Sequence, residues 1–228
     1  MSGVVIVGAG PGIGQAVALR FAREGLPVAL VARSRAGLDA VAEVVASSGV
    51  RIVSAIADVT DEVALRIALD QVVDELGPPE VVVYNAALIR SDTTEGLSAR
   101  GLLDAYAVNV VGAHSVAARL IPAMAARDGG SFLVTGGMPE PKPDYLSLSL
   151  GKASVRTLVT LLDQRYGASG VHVASVTVAG PVAPGTAFDP DDIAEHYWRL
   201  HNQPLGGWEL EVLHAGRSVC GATRPPAA

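Results

Sequence analysis

The sequence predicts an open, mostly parallel α/β sheet of seven strands with helices on both faces. Three observations carry that reading. Short Val/Ile/Leu-rich runs alternate with stretches of helical spacing along the whole chain. The connections between them are short. Half of the 228 residues are hydrophobic and only 18% are charged, which suits strands buried on both faces.

The elements follow in order. Val4–Val7 is apolar throughout, then glycines open a turn and helical spacing runs over Ile13–Glu24. Val28–Val31 reads as the second strand and Gly37–Ala46 as the second helix. Arg51–Ile56 is the third strand; the helix over Asp61–Leu76 takes Thr60 as its expected N-cap, with acids in its first turn. A Gly-Pro-Pro break precedes the fourth strand, Val81–Tyr84. Ala99–Arg127 has the spacing of one long helix, expected to bend at Pro122. Phe132–Val134, a helix across Leu148–Gly167 and Val171–Val178 continue the alternation. A short helix at Asp191–Leu200 leads to a last strand, Trp208–Leu213. Nothing marks an internal boundary, so residues 1–222 are expected to form one domain, with 223–228 a loose Pro/Ala tail.

Composition excludes several classes of function. Seventeen Lys and Arg stand against 23 Asp and Glu, a formal charge of -6 that disfavours a nucleic-acid partner. No uninterrupted apolar run reaches the roughly 18 residues of a membrane-spanning helix, so no membrane association is expected. The opening VVIVG has no basic stretch before it and reads as a strand instead of a signal peptide. Cys220 is the single cysteine, which rules out an intrachain disulfide and fits a reducing cytoplasm. His114, His172, His196, His201 and His214 lack metal-ligand spacing, so no metal is expected.

The most informative segment is GAGPGIG, Gly8 to Gly14, between the first strand and the first helix. Glycines in such a turn let backbone approach a pyrophosphate lying on the helix N-terminus. The spacing is G-x-x-x-G-x-G on Gly8, Gly12 and Gly14; a G-x-G-x-x-G count from Gly8 would need glycine at Ile13. The second strand ends in VALVARSR, where sites selective for NAD carry an acid on the ribose 2′-hydroxyl. Arg33 stands there instead, with Ser34 and Arg35 beside it. A guanidinium and a hydroxyl suit a 2′-phosphate, so NADP(H) is favoured over NAD(H). The plainer alternative is a solvated arginine opening a surface helix.

Further marks occur in a characteristic order: ADV at Ala57–Val59, NAA at Asn85–Ala87, Asn109 in the long helix, LSLGK ending at Lys152, and AGPV at Ala179–Val182. With the glycine turn they make the chain resemble the short-chain dehydrogenase/reductase family along nearly its whole length. The resemblance implies a Rossmann-type, doubly wound NAD(P)-binding domain. It also implies that Gly8, Gly10, Gly12, Ile13 and Gly14 cradle the pyrophosphate and that Asp58 and Val59 contact the adenine. Asn85, Ala86 and Ala87 are implied to lie beside the cofactor, with Val182 at the nicotinamide amide and Lys152 on the nicotinamide ribose. It implies a small-molecule substrate and a homodimer or homotetramer formed through the fourth and fifth helices.

The proton-transfer part of the family's pattern is altered. The family uses a tyrosine four residues before the lysine, a spacing that puts both side chains on one helix face. Leu148 occupies that position here, and leucine cannot transfer a proton. LVTGGM offers Thr135, then Gly136 and Gly137, where hydroxyl residues are expected. Tyr145 lies seven residues before Lys152, roughly 10 Å along a helix axis. The candidate catalytic set is therefore Lys152, Asn109, Tyr145 and Thr135. The expectation is an NADP(H)-dependent oxidoreductase of small carbonyls or alcohols whose proton comes from Tyr145, Thr135, water or the substrate itself. The alternative is a catalytically altered relative, either a non-redox cyclase or isomerase or an NADP(H)-binding sensor.

Overall fold

The apolar runs of the sequence become strands, the central five covered on both sides and the two edge strands partly exposed. In the computed structural model, which describes residues 3–127 and 129–216, one sheet holds seven strands. They are β1 (Val4–Val7), β2 (Val28–Ala32), β3 (Ile52–Ile56), β4 (Val81–Tyr84), β5 (Gly130–Gly137), β6 (Val171–Val178) and β7 (Glu211–His214). Their order is β3-β2-β1-β4-β5-β6-β7, and every pairing is parallel. Side chains alternate between two cores: Val5 and Val7 of β1 enter one, Val4 and Ile6 the other.

Helices α1 (Ile13–Arg23), α2 (Arg35–Ala46) and α7 (Pro190–His201) cover the Ile6 face. Helices α3 (Glu62–Leu76), α5 (Gly112–Ala125) and α6 (Leu146–Tyr166) cover the other. The short α4 (Ala99–Tyr106) precedes α5 and buries only Ala105 fully. Strand order reverses where β1 lies between β2 and β4. A doubly wound sheet opens its ligand crevice there, outside the carboxyl ends of the strands.

Several boundaries differ from expectation. Thr60 does not cap α3: Asp61 does, its carboxylate accepting from the Ala64 N–H, while Thr60 turns back to Asp58. The helix expected over Ala99–Arg127 is interrupted by a π-turn at Ala107–Val111 and ends at Ala125. That turn buries Asn109, whose amide accepts from the Leu88 N–H and donates to the Leu88 carbonyl. β5 runs on through Gly136 and Gly137, and α6 starts at Leu146. β7 is Glu211–His214; Trp208 lies in the loop before it, its ring stacked on His172 at 4.8 Å.

Taken as one stretch, residues 99–125 are long and apolar enough to cross a membrane, an 18-residue window within it having a mean hydropathy of 1.2. In the fold Ala113, Val116, Ala117, Leu120, Ile121 and Met124 of this stretch are packed into the core. The expected tail, Cys220 and the last residues of the expected domain lie outside the described residues.

Candidate active site

The glycine turn joins β1 to α1 at the strand-order reversal. Gly8 adopts φ +92°, and a Cβ there would collide with the Ala86 backbone nitrogen, so only glycine lets the turn lie against the end of β4. Gly12, the N-cap of α1, adopts φ +114°, and a Cβ on Gly12 or Gly10 would meet nothing within 4 Å. Open space thus stands over the turn. No side chain caps α1 and no acid lies in its first turn, whereas α2, α3, α4 and α7 are all capped by Ser or Asp. Uncapped N–H groups and the positive end of the helix dipole fit a pyrophosphate.

At the end of β2, Arg33 is exposed, and Ser34 caps α2 by accepting from the Gly37 N–H at 3.2 Å. Ser34 keeps its own hydroxyl proton to donate. Asp58 lies close enough for the Arg33 charge to act on it. Its carboxyl is held below the usual range first by the Thr60 N–H and hydroxyl, at 2.9 and 2.7 Å, and less by Arg33. Val59 packs against the core of the α3 and α5 face. Arg33, Ser34, Asp58 and Val59 therefore stand together at the ends of β2 and β3.

A buried polar chain ties the strand ends together. Asn85, just past β4, donates to the Gly8 carbonyl at 2.8 Å and accepts from the Thr135 hydroxyl at 2.8 Å. Thr135 shares a second hydrogen bond with the Tyr197 hydroxyl of α7, at 2.7 Å. Since the Thr135 proton goes to Asn85, Tyr197 is the donor. Burial pushes the Tyr197 phenol up, so it stays protonated. Thr135 thus faces the α1 and α7 side of the sheet, away from α6.

Lys152 lies on the other side, buried to 5% exposure, its ammonium donating to the Thr135 carbonyl at 2.7 Å. Burial, with a smaller contribution from Arg156, brings its pKa down to about 8. One turn further, Arg156 donates to the Gly137 carbonyl at 3.0 Å. A Cβ on Gly137 would sit 3.8 Å from Lys152 Cε in ordinary contact, whereas one on Gly136 would collide with the Thr177 hydroxyl. Leu148 is buried at 4% exposure. Tyr145 is the N-cap of α6, half-buried, and bridges to Asp92 through the backbone. Asp92 caps the helix from outside, accepting from the Ser147 N–H at 2.9 Å and from its hydroxyl.

The fold brings Gly8–Gly14, Arg33, Asp58, Asn85–Ala87, Thr135 and Lys152 to the carboxyl ends of neighbouring strands. Val182, 37% exposed, lies in the loop after β6, where the Phe188 ring packs on Gly180. Among the described residues no group of His, Cys, Asp and Glu is placed to hold a metal ion.

Comparison with known proteins decides the family. The profile of the short chain dehydrogenase family matches residues 2–189. The chain belongs to the short-chain dehydrogenase family. Among curated relatives of this short-chain dehydrogenase, an uncharacterised oxidoreductase of Mycobacterium tuberculosis is 36% identical over 131 residues. The match takes in 57% of this chain and about half, 49%, of that relative. A glucose 1-dehydrogenase of Gluconobacter oxydans is 31% identical, with 79% of this chain and 70% of the relative matched. Among solved structures, an alcohol dehydrogenase of the archaeon Thermococcus sibiricus, complexed with 5-hydroxy-NADP, is 26% identical at a TM-score of 0.85, covering 98% of this chain and all of that one. A metagenomic short-chain oxidoreductase in complex with NADP is 25% identical at a TM-score of 0.83, covering 93% and 97%.

Three side chains of this short-chain dehydrogenase shape the site without a local signal in the sequence. Tyr197 reaches Thr135 across 62 residues, and Asp92 reaches Ser147 across 55. Arg156 lies four residues past Lys152, a spacing that marks it as a neighbour but not as a partner of Gly137.

Proposed function

We propose that this short-chain dehydrogenase is an NADP(H)-dependent oxidoreductase of a small carbonyl or alcohol, with a proton donor other than the family's tyrosine. One observation carries the cofactor reading. Arg33 stands exposed at the end of β2 beside Ser34, and the residues directly after β2, 33 to 38, include no acid to repel a 2′-phosphate. The NADP-type ligands of the two solved relatives agree with it.

In this reading the α1 turn from Gly8 to Gly14 takes the pyrophosphate and Arg33 with Ser34 takes the 2′-phosphate. Asp58 and Val59 take the adenine, Asn85–Ala87 flank the cofactor, Val182 meets the nicotinamide amide, and Lys152 holds the ribose. When bound, the dinucleotide supplies or accepts the two electrons and hydrogen of the redox step. Asn109 and the Asn85–Thr135–Tyr197 chain keep the strand ends in place.

Fluorescence titration with NADPH and NADH tests the cofactor reading. The parent is expected to bind NADPH at least ten-fold more tightly, the scale of a charge-assisted hydrogen bond at about 1.5 to 3 kcal/mol. Arg33→Ala should lose that preference while its NADH affinity stays the same. Equal affinities in the parent, or an undiminished preference in Arg33→Ala, would remove the assignment.

A further inference from the structure

The segment 182–189, which joins the end of β6 to α7, makes its hydrogen bonds mostly with itself. The Ala183 N–H donates to the Phe188 carbonyl at 3.2 Å, and the Phe188 N–H to the Thr186 hydroxyl at 3.1 Å. Asp189 accepts from the Gly185 N–H at 2.6 Å and from the Asp191 N–H at 2.9 Å. Among the described residues, one hydrogen bond ties this segment to the sheet. His214, the last residue of β7, bonds through Nε2 to the Ala187 carbonyl at 3.1 Å. The His214 ring also meets the Phe188 ring edge-on, with centroids 5.7 Å apart, while Phe188 lies close over Gly180.

The proton on that nitrogen is set by a second histidine. A carbonyl only accepts, so His214 carries a hydrogen on Nε2. Its Nδ1 faces His196 Nε2 of α7 at 3.0 Å. In the neutral pair Nδ1 is therefore bare and accepts from the His196 N–H, which selects this tautomer over the other. His214 is buried and His196 half-buried. Burial first, then the His214 ring and Arg199, hold His196 below the usual imidazole range against the opposing pull of Glu209 and Glu195, which favours its neutral form.

We propose that His214, its tautomer fixed by His196, is a positioning residue that holds the 182–189 segment on the nicotinamide end of the dinucleotide. This rests on the reading that puts the nicotinamide amide at Val182. The Ala183–Phe188 hydrogen bond closes the segment between Val182 and the Ala187 carbonyl, so fixing that carbonyl fixes the start of the segment as well. β7 stands four strands from β1 in the sheet, roughly 19 Å in the hydrogen-bonding direction. The pair therefore acts on the nicotinamide half of the site and leaves the glycine turn and Arg33 untouched.

Calorimetric titration of the full chain with NADP+ and with 2′-phospho-ADP-ribose, which lacks only the nicotinamide, separates the two halves. The parent should bind NADP+ about ten-fold more tightly than the fragment. His214→Phe keeps a ring but loses the N–H. It should lower NADP+ affinity about five-fold, the scale of one neutral hydrogen bond, and leave the fragment within about two-fold of the parent. His214→Gln, which can still donate to Ala187, should recover most of the loss. In the ligand-free chain, amide exchange at Gly185 and Phe188 should speed up in His214→Phe more than in His214→Gln. Nitrogen-15 NMR of the five histidines at pH 8 should find His214 protonated at Nε2 in the parent and a tautomer mixture in His196→Phe. A parent His214 protonated at Nδ1 overturns the proposal, whether or not the variants fold. So does a His214→Phe chain that loses affinity for both ligands alike or for neither, unchanged exchange in the segment, or a Gln variant no better than Phe. A parent that binds both ligands equally overturns the Val182 reading, and one that binds neither overturns the cofactor reading; the proposal falls with either.

Discussion

Lys152 shows how one residue links the site to stability. Its ammonium is buried and meets one carbonyl, with Arg156 close by, so the folded chain holds its proton less tightly than the unfolded chain does. The folded pKa is about 8 against an ordinary 10.5. Between those values the unfolded chain binds more protons, so stability rises with pH across this window, by about 3 kcal/mol in all. Below pH 8 the full cost of burying the charge is present. Urea denaturation of the cofactor-free parent and of Lys152→Met from pH 7 to 10.5 isolates the effect. The parent should gain stability relative to the variant as pH rises, and parallel curves would show that the lysine is solvated.

At the scale of elements, α6 depends on a residue far from it in sequence. α2, α3, α4 and α7 begin with their own capping side chain, but Tyr145 gives α6 none. Asp92 fills that role from the loop after β4. Burial alone would raise its carboxyl, but the Ser147 and Arg90 hydrogen bonds outweigh it and hold the group below the usual range. Asp92→Ala should cost about 1 to 2 kcal/mol, the scale of a lost cap. Amide exchange should speed up at residues 145–149 while the far end of α6 keeps its protection. Unchanged exchange there would mean that packing alone holds the helix start, which bears Leu148.

At the scale of the whole molecule, the α4–α5 stretch and α6 leave apolar side chains in solvent. Leu103, Val111, Leu150 and Leu161 are 65%, 50%, 45% and 57% exposed. We propose that these helices pair with a second copy, as the family resemblance implies. Sedimentation velocity should then find a dimer or tetramer of the 23.3 kDa chain, and Leu103→Glu with Leu161→Glu should shift it toward monomer. A parent that sediments as a monomer would end this expectation.

The strands, the parallel sheet and the glycine turn were legible in the sequence because each rests on local chemistry. A strand buried on both faces is read from its apolar run, as Val4–Val7 and Val81–Tyr84 are. A turn with positive φ at Gly8 and Gly12 must be glycine. The distance of Tyr145 from Lys152 and the absence of a phenol at Leu148 were equally plain, being matters of helical spacing. The direction of the Thr135 hydroxyl was not. It depends on which face of β5 the residue takes and on Tyr197, which only the packing of α7 brings near. The cap on α6, the π-turn at Asn109 and the desolvated state of Lys152 likewise arise between segments distant in the chain. Local sequence determines which backbone forms; the partners that complete its hydrogen bonds and exclude its water are decided only when the chain is folded.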